Sequence, residues 1–234
     1  MEIIILRISH AKEKDAVINA LTRDGEQTLY VRGLYDPKSK NASLNNNLTI
    51  ADVEISESKY GCPIVTHTKI IRYPFNINES IQYAMALFAI TEATNNLLNE
   101  NEKAVIFDDL YGTIVTLTEH ADPFKVVLTY YTKILKVSGY NMEVNNCVKC
   151  GSKEEIVAFS FDEGGFICKN CWSPEIPRIF NKTQMLVIRE AFRTKNYCIK
   201  NSNISEYDVR TIIHKMCEFI YDSYGYFMHT RELF

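Results

Sequence analysis

Residues 147–171 read CVKCGSKEEIVAFSFDEGGFICKNC. A Cys-x-x-Cys knuckle stands at each end, Cys147/Cys150 and Cys168/Cys171, with seventeen residues between them. A Cys-x-x-Cys turn aims two thiolates at one point, and two such turns supply the four soft ligands that Zn²⁺ takes in a tetrahedron at about 2.3 Å. Gly151 relaxes the backbone behind the first knuckle, and Gly164-Gly165 turns a hairpin whose strands are IVAFSF and GFI. Metal-free thiols at this spacing would be open to oxidation, a reducing compartment disfavours disulfides, and iron–sulfur clusters use other spacings. One Zn²⁺ per chain is therefore expected, held by Cys147, Cys150, Cys168 and Cys171. Four protein ligands leave no open position, so the ion is structural. Its binding stabilises a segment too small to own a core, by on the order of 10 kcal/mol.

The surrounding 234 residues are long enough for one large domain or two small ones. Seven cysteines is an odd number, and Cys62, Cys198 and Cys217 are scattered, unlike a disulfide framework. The apolar run IIIL at Ile3–Leu6 is too short to span a bilayer, and MEIIILRIS lacks the pattern of a signal peptide. The expected location is the cytoplasm. Net charge is −3, weak evidence against a general nucleic-acid binder. Residues 1–75 carry ten Lys/Arg against nine Asp/Glu, residues 76–144 four against nine, and residues 145–234 twelve against eleven. Any basic surface must be local.

The first seventy-five residues read as five strands: EIIILRI, DAVINALT, TLYVRG, LTIADVEIS and PIVTHTKIIRYP. Alternation in the last puts Ile64, Thr66, Thr68 and Ile70 on one side and Val65, His67, Lys69 and Ile71 on the other. DPKSKNASLNNN between the third and fourth reads as a loop. Five short strands fit an OB-fold barrel, with an SH3-like barrel as the alternative.

The pattern turns helical after Pro74. Asn78 is a candidate N-cap for a helix with Ile81, Met85, Phe88 and Ala89 at helical spacing. A second helix carries Phe107, Leu110, Tyr111, Ile114 and Val115 as its stripe. A third opens on Asp122-Pro123 and ends near Gly139, with Phe124, Leu128, Tyr131 and Leu135 inward. After the cysteine segment come two more. One places Met185, Ile188 and Phe192 inward. The other opens on Ser205 and Asp208, resembling a capping box, buries Val209, Ile212, Ile213, Met216 and Ile220, and stops at Gly225. The expected fold class is α+β: a five-stranded OB-fold β-barrel over 1–75, then an α-helical domain over 76–234 with a four-cysteine zinc-finger insertion at 145–173.

No catalytic signature is present: no phosphate-binding loop, no dinucleotide fingerprint, no His-Glu-x-x-His and no Gly-x-Ser-x-Gly. Asp108 and Asp109, as neighbours in a helix, point to different faces. The five histidines are dispersed. The expectation is a protein that is not an enzyme.

Three stretches carry a resemblance. Residues 3–40 have a strand, a polar link, a second strand, Gly25, the step Val31-Arg32-Gly33 and the basic loop Lys38-Ser39-Lys40. FKVVLTYYTKILKVSGYNMEVNNCVKCG leads through a Gly-Tyr step into the first knuckle, and FSFDEGGFICKNC forms the second. Together with the closing TRELF, these resemble the RecO family of bacterial DNA repair proteins over nearly the whole chain. The resemblance implies a recombination mediator of the RecF pathway without catalytic chemistry. Such a protein binds single- and double-stranded DNA and anneals complementary strands. It engages the C-terminal tail of the single-stranded DNA-binding protein and, with RecR, helps load RecA. A nucleoid-associated cytoplasmic location follows.

OB-folds bind through one barrel face and the loops after the first and fourth strands. Here those loops hold Lys12 and Lys14, then Lys59 and Tyr60, while Arg7, Arg32, Lys38 and Lys40 flank them. Tyr30 and Tyr35 are candidates for base stacking. Arg189, Arg193 and Lys195 form a second basic row on the helix after the cysteines. Glu13, Asp15 and Asp36 lie among the barrel cations and weaken the case for strong affinity. The competing reading is a zinc-stapled protein-interaction module that does not bind DNA.

Overall fold

The computed structural model describes residues 1–58, 61–74, 80–119, 121–200 and 203–234. By compactness the chain divides into two units, residues 1–120 and 121–234. The change of character near residue 75 marks where strands give way to helices, and the first two helices belong with the barrel.

Five strands close the barrel: β1 (Glu2–His10), β2 (Ala16–Thr22), β3 (Gly25–Val31), β4 (Ile50–Ser56) and β5 (Ile64–Arg72). The order around it is β1-β2-β3-β5-β4, an OB-like arrangement that returns to β1. Ile3, Ile5, Ile18, Leu29, Val31, Val53 and Val65 are part of a core of buried side chains inside it. Strand β1 reads as a continuous apolar run because both of its faces are covered. Ile4 and Leu6, pointing the opposite way from Ile3 and Ile5, are buried too. Helix α1 (Ile81–Asn96) packs on β1, and α2 (Glu100–Thr118) on β2 and β3.

Strict alternation fails along β5. A bulge opposite Glu54/Ile55 adds one residue and reverses the phase, so Val65 and Ile70 both face the core. The expected loop at 36–47 contains a 3-10 turn, Lys40–Leu44, whose Leu44 reaches into the barrel core.

The expected face of α1 is also corrected. Ile81 is 75% and Phe88 64% exposed, whereas Tyr83, Ala86, Leu87, Ala89, Ile90 and Ala93 are buried. This helix is apolar nearly all round, so periodicity alone does not choose a side. Its N-cap is Ser80, and the candidate cap Asn78 lies outside the described residues. In α2, Asn99 and Glu102 complete a capping box that the sequence reading missed.

The second unit holds α3 (Pro123–Val137), a three-stranded sheet, α4 (Lys182–Arg193) and α5 (Glu206–Tyr224). Asp122 caps α3 with Pro123 in its first turn, and Gly139 follows the helix at φ +86°. The sheet order is β6 (Glu143–Cys147), β8 (Gly165–Cys168), β7 (Ile156–Ser160), with β6 parallel to β8. Helix α3 packs against α4 and α5. The closing residues form a 3-10 turn, His229–Leu233, laid on α5. Arg210 donates to the Leu233 carbonyl at 3.1 Å, Arg231 pairs with Glu218 at 3.0 Å, and Phe234 meets Phe124 edge to face. No helix among the described residues is long and apolar enough to cross a membrane.

Candidate metal centre and nucleic-acid surface

The two knuckles share one backbone geometry. The amide of Gly151 donates to the Cys147 carbonyl at 2.8 Å, and that of Trp172 to the Cys168 carbonyl at 2.9 Å. Gly151 takes φ +74°, as a turn behind a knuckle requires. Strand pairing β7–β8 then carries the second knuckle to the first. Gly165 makes the approach possible: a Cβ there would lie 2.2 Å from the Glu143 carbonyl oxygen on β6.

All four sulfurs lie within 4.8 Å of one another, and Cys150 and Cys168 are 3.7 Å apart. A tetrahedron with bonds of about 2.3 Å has edges of about 3.8 Å, so this donor set fits a metal ion. The four thiols differ in acidity. Burial pushes the Cys147 thiol up, but backbone N–H groups of Cys168, Cys150 and Lys149 outweigh it and bring the thiol to about 6. Cys171 is pushed up to about 12, chiefly because it hydrogen-bonds the sulfurs of Cys150 and Cys168. Four thiolates this close repel one another unless a cation sits among them. Cys62, Cys198 and Cys217 lie outside this cluster: Cys217 is buried on α5, and burial raises the Cys198 thiol.

On the barrel, a groove of about 440 Å³ opens where the β1–β2 loop, the end of β3 and the β4–β5 connection meet. Lys12, Asp15, Tyr30, Arg32, Cys62 and Ile64 help line it. Asp15 organises this region. Its carboxylate accepts from the Gly33 amide and the Tyr30 hydroxyl, each at 2.7 Å. Those two bonds, the Gly33 amide first, hold it below the usual carboxylate range. Gly33 sits at φ +67° with Ser39 Oγ 2.9 Å from where a Cβ would be, so the chain folds back on itself there. Asn41 donates to the Arg32 carbonyl at 3.0 Å and fastens the same loop. Arg32, Lys38 and Lys40 are thus carried on one tied loop.

Asp36, the other nearby acid, pairs with Lys14 at 2.8 Å and also accepts from the Lys38 amide. Two of the three acids are spent on holding the loop, and Lys14 is spent with them. Lys12, Arg32, Lys38 and Lys40 have no ion pair among the described residues. Tyr35 stacks on His10 with ring centroids 5.3 Å apart at 18°, a flat exposed platform. His10 was not singled out from the sequence, because stacking across a loop leaves no periodic trace.

Other candidates lie elsewhere. Arg7 is on β1 opposite Asn19, near Glu26, away from the groove lining. Burial raises the Glu26 carboxyl, but Lys103, Asn19 and Arg7 outweigh this and lower it. Lys59 and Tyr60 lie outside the described residues. Arg189 is committed: it donates from Nε to the Val144 carbonyl at 2.8 Å and lies 5.3 Å over the Phe166 ring. Arg193 ends α4, and Lys195 falls beyond the helix, because extended Thr194 stops it. The row that actually continues along α4 is Lys182, Leu186, Arg189 and Arg193, at helical spacing.

Comparison with known proteins agrees with this architecture. Residues 78–218 match the model of the family described as "Recombination protein O C terminal". The DNA repair protein RecO of Bacillus mycoides is 26% identical over 99% of this chain and 94% of its own length. RecO of Halalkalibacterium halodurans is 28% identical over 72% of this chain and 66% of its own length. RecO of a Bacillus cereus strain is 29% identical over 72% and 68%. With a matching family model across more than half its length, this chain belongs to the RecO family.

Proposed function

We propose that this chain is a non-catalytic mediator of DNA repair and recombination. Its OB-fold binds single- and double-stranded DNA and anneals complementary strands. With RecR, and through the C-terminal tail of the single-stranded DNA-binding protein, it helps load RecA. The supporting names are those of relatives called DNA repair protein RecO. The observation that carries the DNA-binding part is the barrel groove with Lys12, Arg32 and Tyr30, beside a loop whose Asp36 is neutralised by Lys14. Phosphates meet the free cations, and bases stack on Tyr30 or on the His10–Tyr35 platform. Local cations suffice because affinity comes from each phosphate neutralised, with counterions released. Arg7 and Arg189 are assigned to holding the fold; Lys12, Arg32, Lys38 and Lys40 to DNA.

The four cysteines hold one structural Zn²⁺ on this reading. The ion would neutralise the converging thiolates and staple the hairpin at 145–173.

The test is strand annealing by the full chain, on naked DNA and on DNA coated with single-stranded DNA-binding protein. Charge reversal of Arg32, Lys38 and Lys40 together should abolish annealing and flatten the salt dependence of binding. An unchanged annealing rate would remove the barrel from the mechanism. Absent DNA binding at low salt, with a tight protein partner, would instead favour an interaction module.

A further inference from the structure

Solvent does not reach the four converging sulfurs equally. Cys147 and Cys168 are 1% and 2% exposed, Cys171 is half-buried, and Cys150 is open to solvent. A small water-borne oxidant meets an open thiolate first, because access and thiolate character together set the rate. Cys168 is the sulfur placed to answer. It stands 3.7 Å from the Cys150 sulfur, across the gap between the knuckles. Its backbone is fixed at the end of β8, where it pairs with Ile156 on β7 and its carbonyl accepts from the Trp172 amide. The Cys147 sulfur is engaged differently: it accepts from the backbone amides of Cys168, Cys150 and Lys149, which occupy its lone pairs.

We propose that Cys150 is a modification site for hydrogen peroxide, and that its oxidation joins it to Cys168. The Cys150 thiolate attacks one peroxide oxygen, the O–O bond breaks, hydroxide leaves, and Cys150 becomes a sulfenic acid. The Cys168 thiolate then attacks that sulfur, forms the S–S bond and expels the second oxygen as hydroxide. Two protons from solvent turn both hydroxides into water. Each sulfur gives up one electron, and the peroxide takes both. The crosslink closes residues 150–168 into one covalent loop, which spans the hairpin strands β7 and β8. Cys147 and Cys171 alone are too few ligands for a structural ion, so the ion is lost. The staple passes from a metal to a disulfide, and the oxidised hairpin is metal-free yet folded. Release of the ion rests on the metal reading proposed above; the crosslink does not.

The experiment treats the metal-loaded full chain with hydrogen peroxide and follows released metal with a coloured chelator. Trypsin cleaves after Lys149, Lys153 and Lys169, so Cys147, Cys150, Cys168 and Cys171 fall on separate peptides. Dimedone should trap sulfenic acid first on the Cys150 peptide, and the non-reducing map should join that peptide to the one carrying Cys168. One ion should leave per crosslinked chain. Trp172 emission should stay near that of the metal-loaded chain, then change when dithiothreitol is added with the chelator present. Cys150→Ser should slow release about tenfold or more, and Cys198→Ser, outside the cluster, should leave it unchanged. Should Cys150→Ser fail to retain metal, the peptide map of the unaltered chain decides. The proposal is overturned if peroxide leaves the four thiols reduced, if dimedone marks another of them first, or if the crosslink joins any pair but Cys150 and Cys168. A chain that holds no metal yet forms this crosslink would remove the metal reading and keep the modification site.

Discussion

The barrel and the cysteine hairpin are both small β-structures, yet they are held together by different forces. The barrel encloses a ring of buried aliphatic side chains contributed by all five strands. The hairpin's own cluster holds only Ala158, Ile167 and Ile176, with Cys171 and Trp172 alongside, while its Phe159 and Phe161 rings are buried against Phe180, Phe192 and Phe219 outside it. At roughly 25 cal/mol per Å² of apolar surface, three such side chains cannot offset the entropy of ordering some twenty-five residues. The barrel therefore draws its stability from its own interior, and the hairpin from rings packed outside it and, on the proposed reading, from a metal on its four sulfurs. The two regions should respond to different insults.

Removal of the proposed metal should be the largest perturbation. A strong chelator, or Cys168→Ser, should unfold the hairpin while the barrel keeps its structure, a loss on the order of 10 kcal/mol for the hairpin. Trp172 is the only tryptophan and sits beside Cys171, so its fluorescence reports the hairpin alone. Barrel resonances that collapse together with it would break the contrast. The mirror experiment is Leu29→Ala inside the barrel, expected to cost about 3 kcal/mol by denaturant titration with metal content unchanged. Gly165→Ala attacks the hairpin without touching a sulfur. Its Cβ cannot fit against Glu143, and a loss of roughly 2 kcal/mol with weaker metal retention is expected.

The smallest effect is electrostatic and belongs to the barrel. Asp15 and Asp36 are both depressed in the fold, the first mainly by the Gly33 amide and the second mainly by Lys14. A depressed carboxyl stabilises above its unfolded pKa and loses that contribution as pH falls through the folded value. Asp15→Asn should cost about 1 kcal/mol at neutral pH and make stability less pH-dependent below about pH 4. Denaturant midpoints at pH 7 and pH 3 measure this, and an unchanged slope would show that Asp15 does not anchor the loop.

Much of this was legible in the sequence, for physical reasons that differ by region. The convergence of the four cysteines was readable because Cys-x-x-Cys encodes its geometry locally. Strands β1 to β5 were readable from apolar runs, β-branched and aromatic content and, in β4, alternation. What escaped was non-local. The parallel pairing of β6 with β8 leaves no periodic mark, nor does the bulge that puts Val65 and Ile70 on one face. The buried side of α1 was misread because the helix is apolar on both. At the candidate sites, the sequence supplied the cations but not their commitments: Lys14 is paired with Asp36, and Arg189 is bound to a carbonyl.

Closure of the barrel has one further consequence. Strands β3 and β5 meet through a single parallel rung, Tyr30 against Ile64, and the Tyr30 amide donates to the Pro63 carbonyl at 2.8 Å. Every other joint in the cylinder has a ladder of several rungs. This zipper of one tooth borders the groove, so the cylinder parts most cheaply where a strand of DNA would enter. Deuterium uptake at the Tyr30 amide should outpace that of Leu29, and a bound oligonucleotide bridging the two lips should slow it.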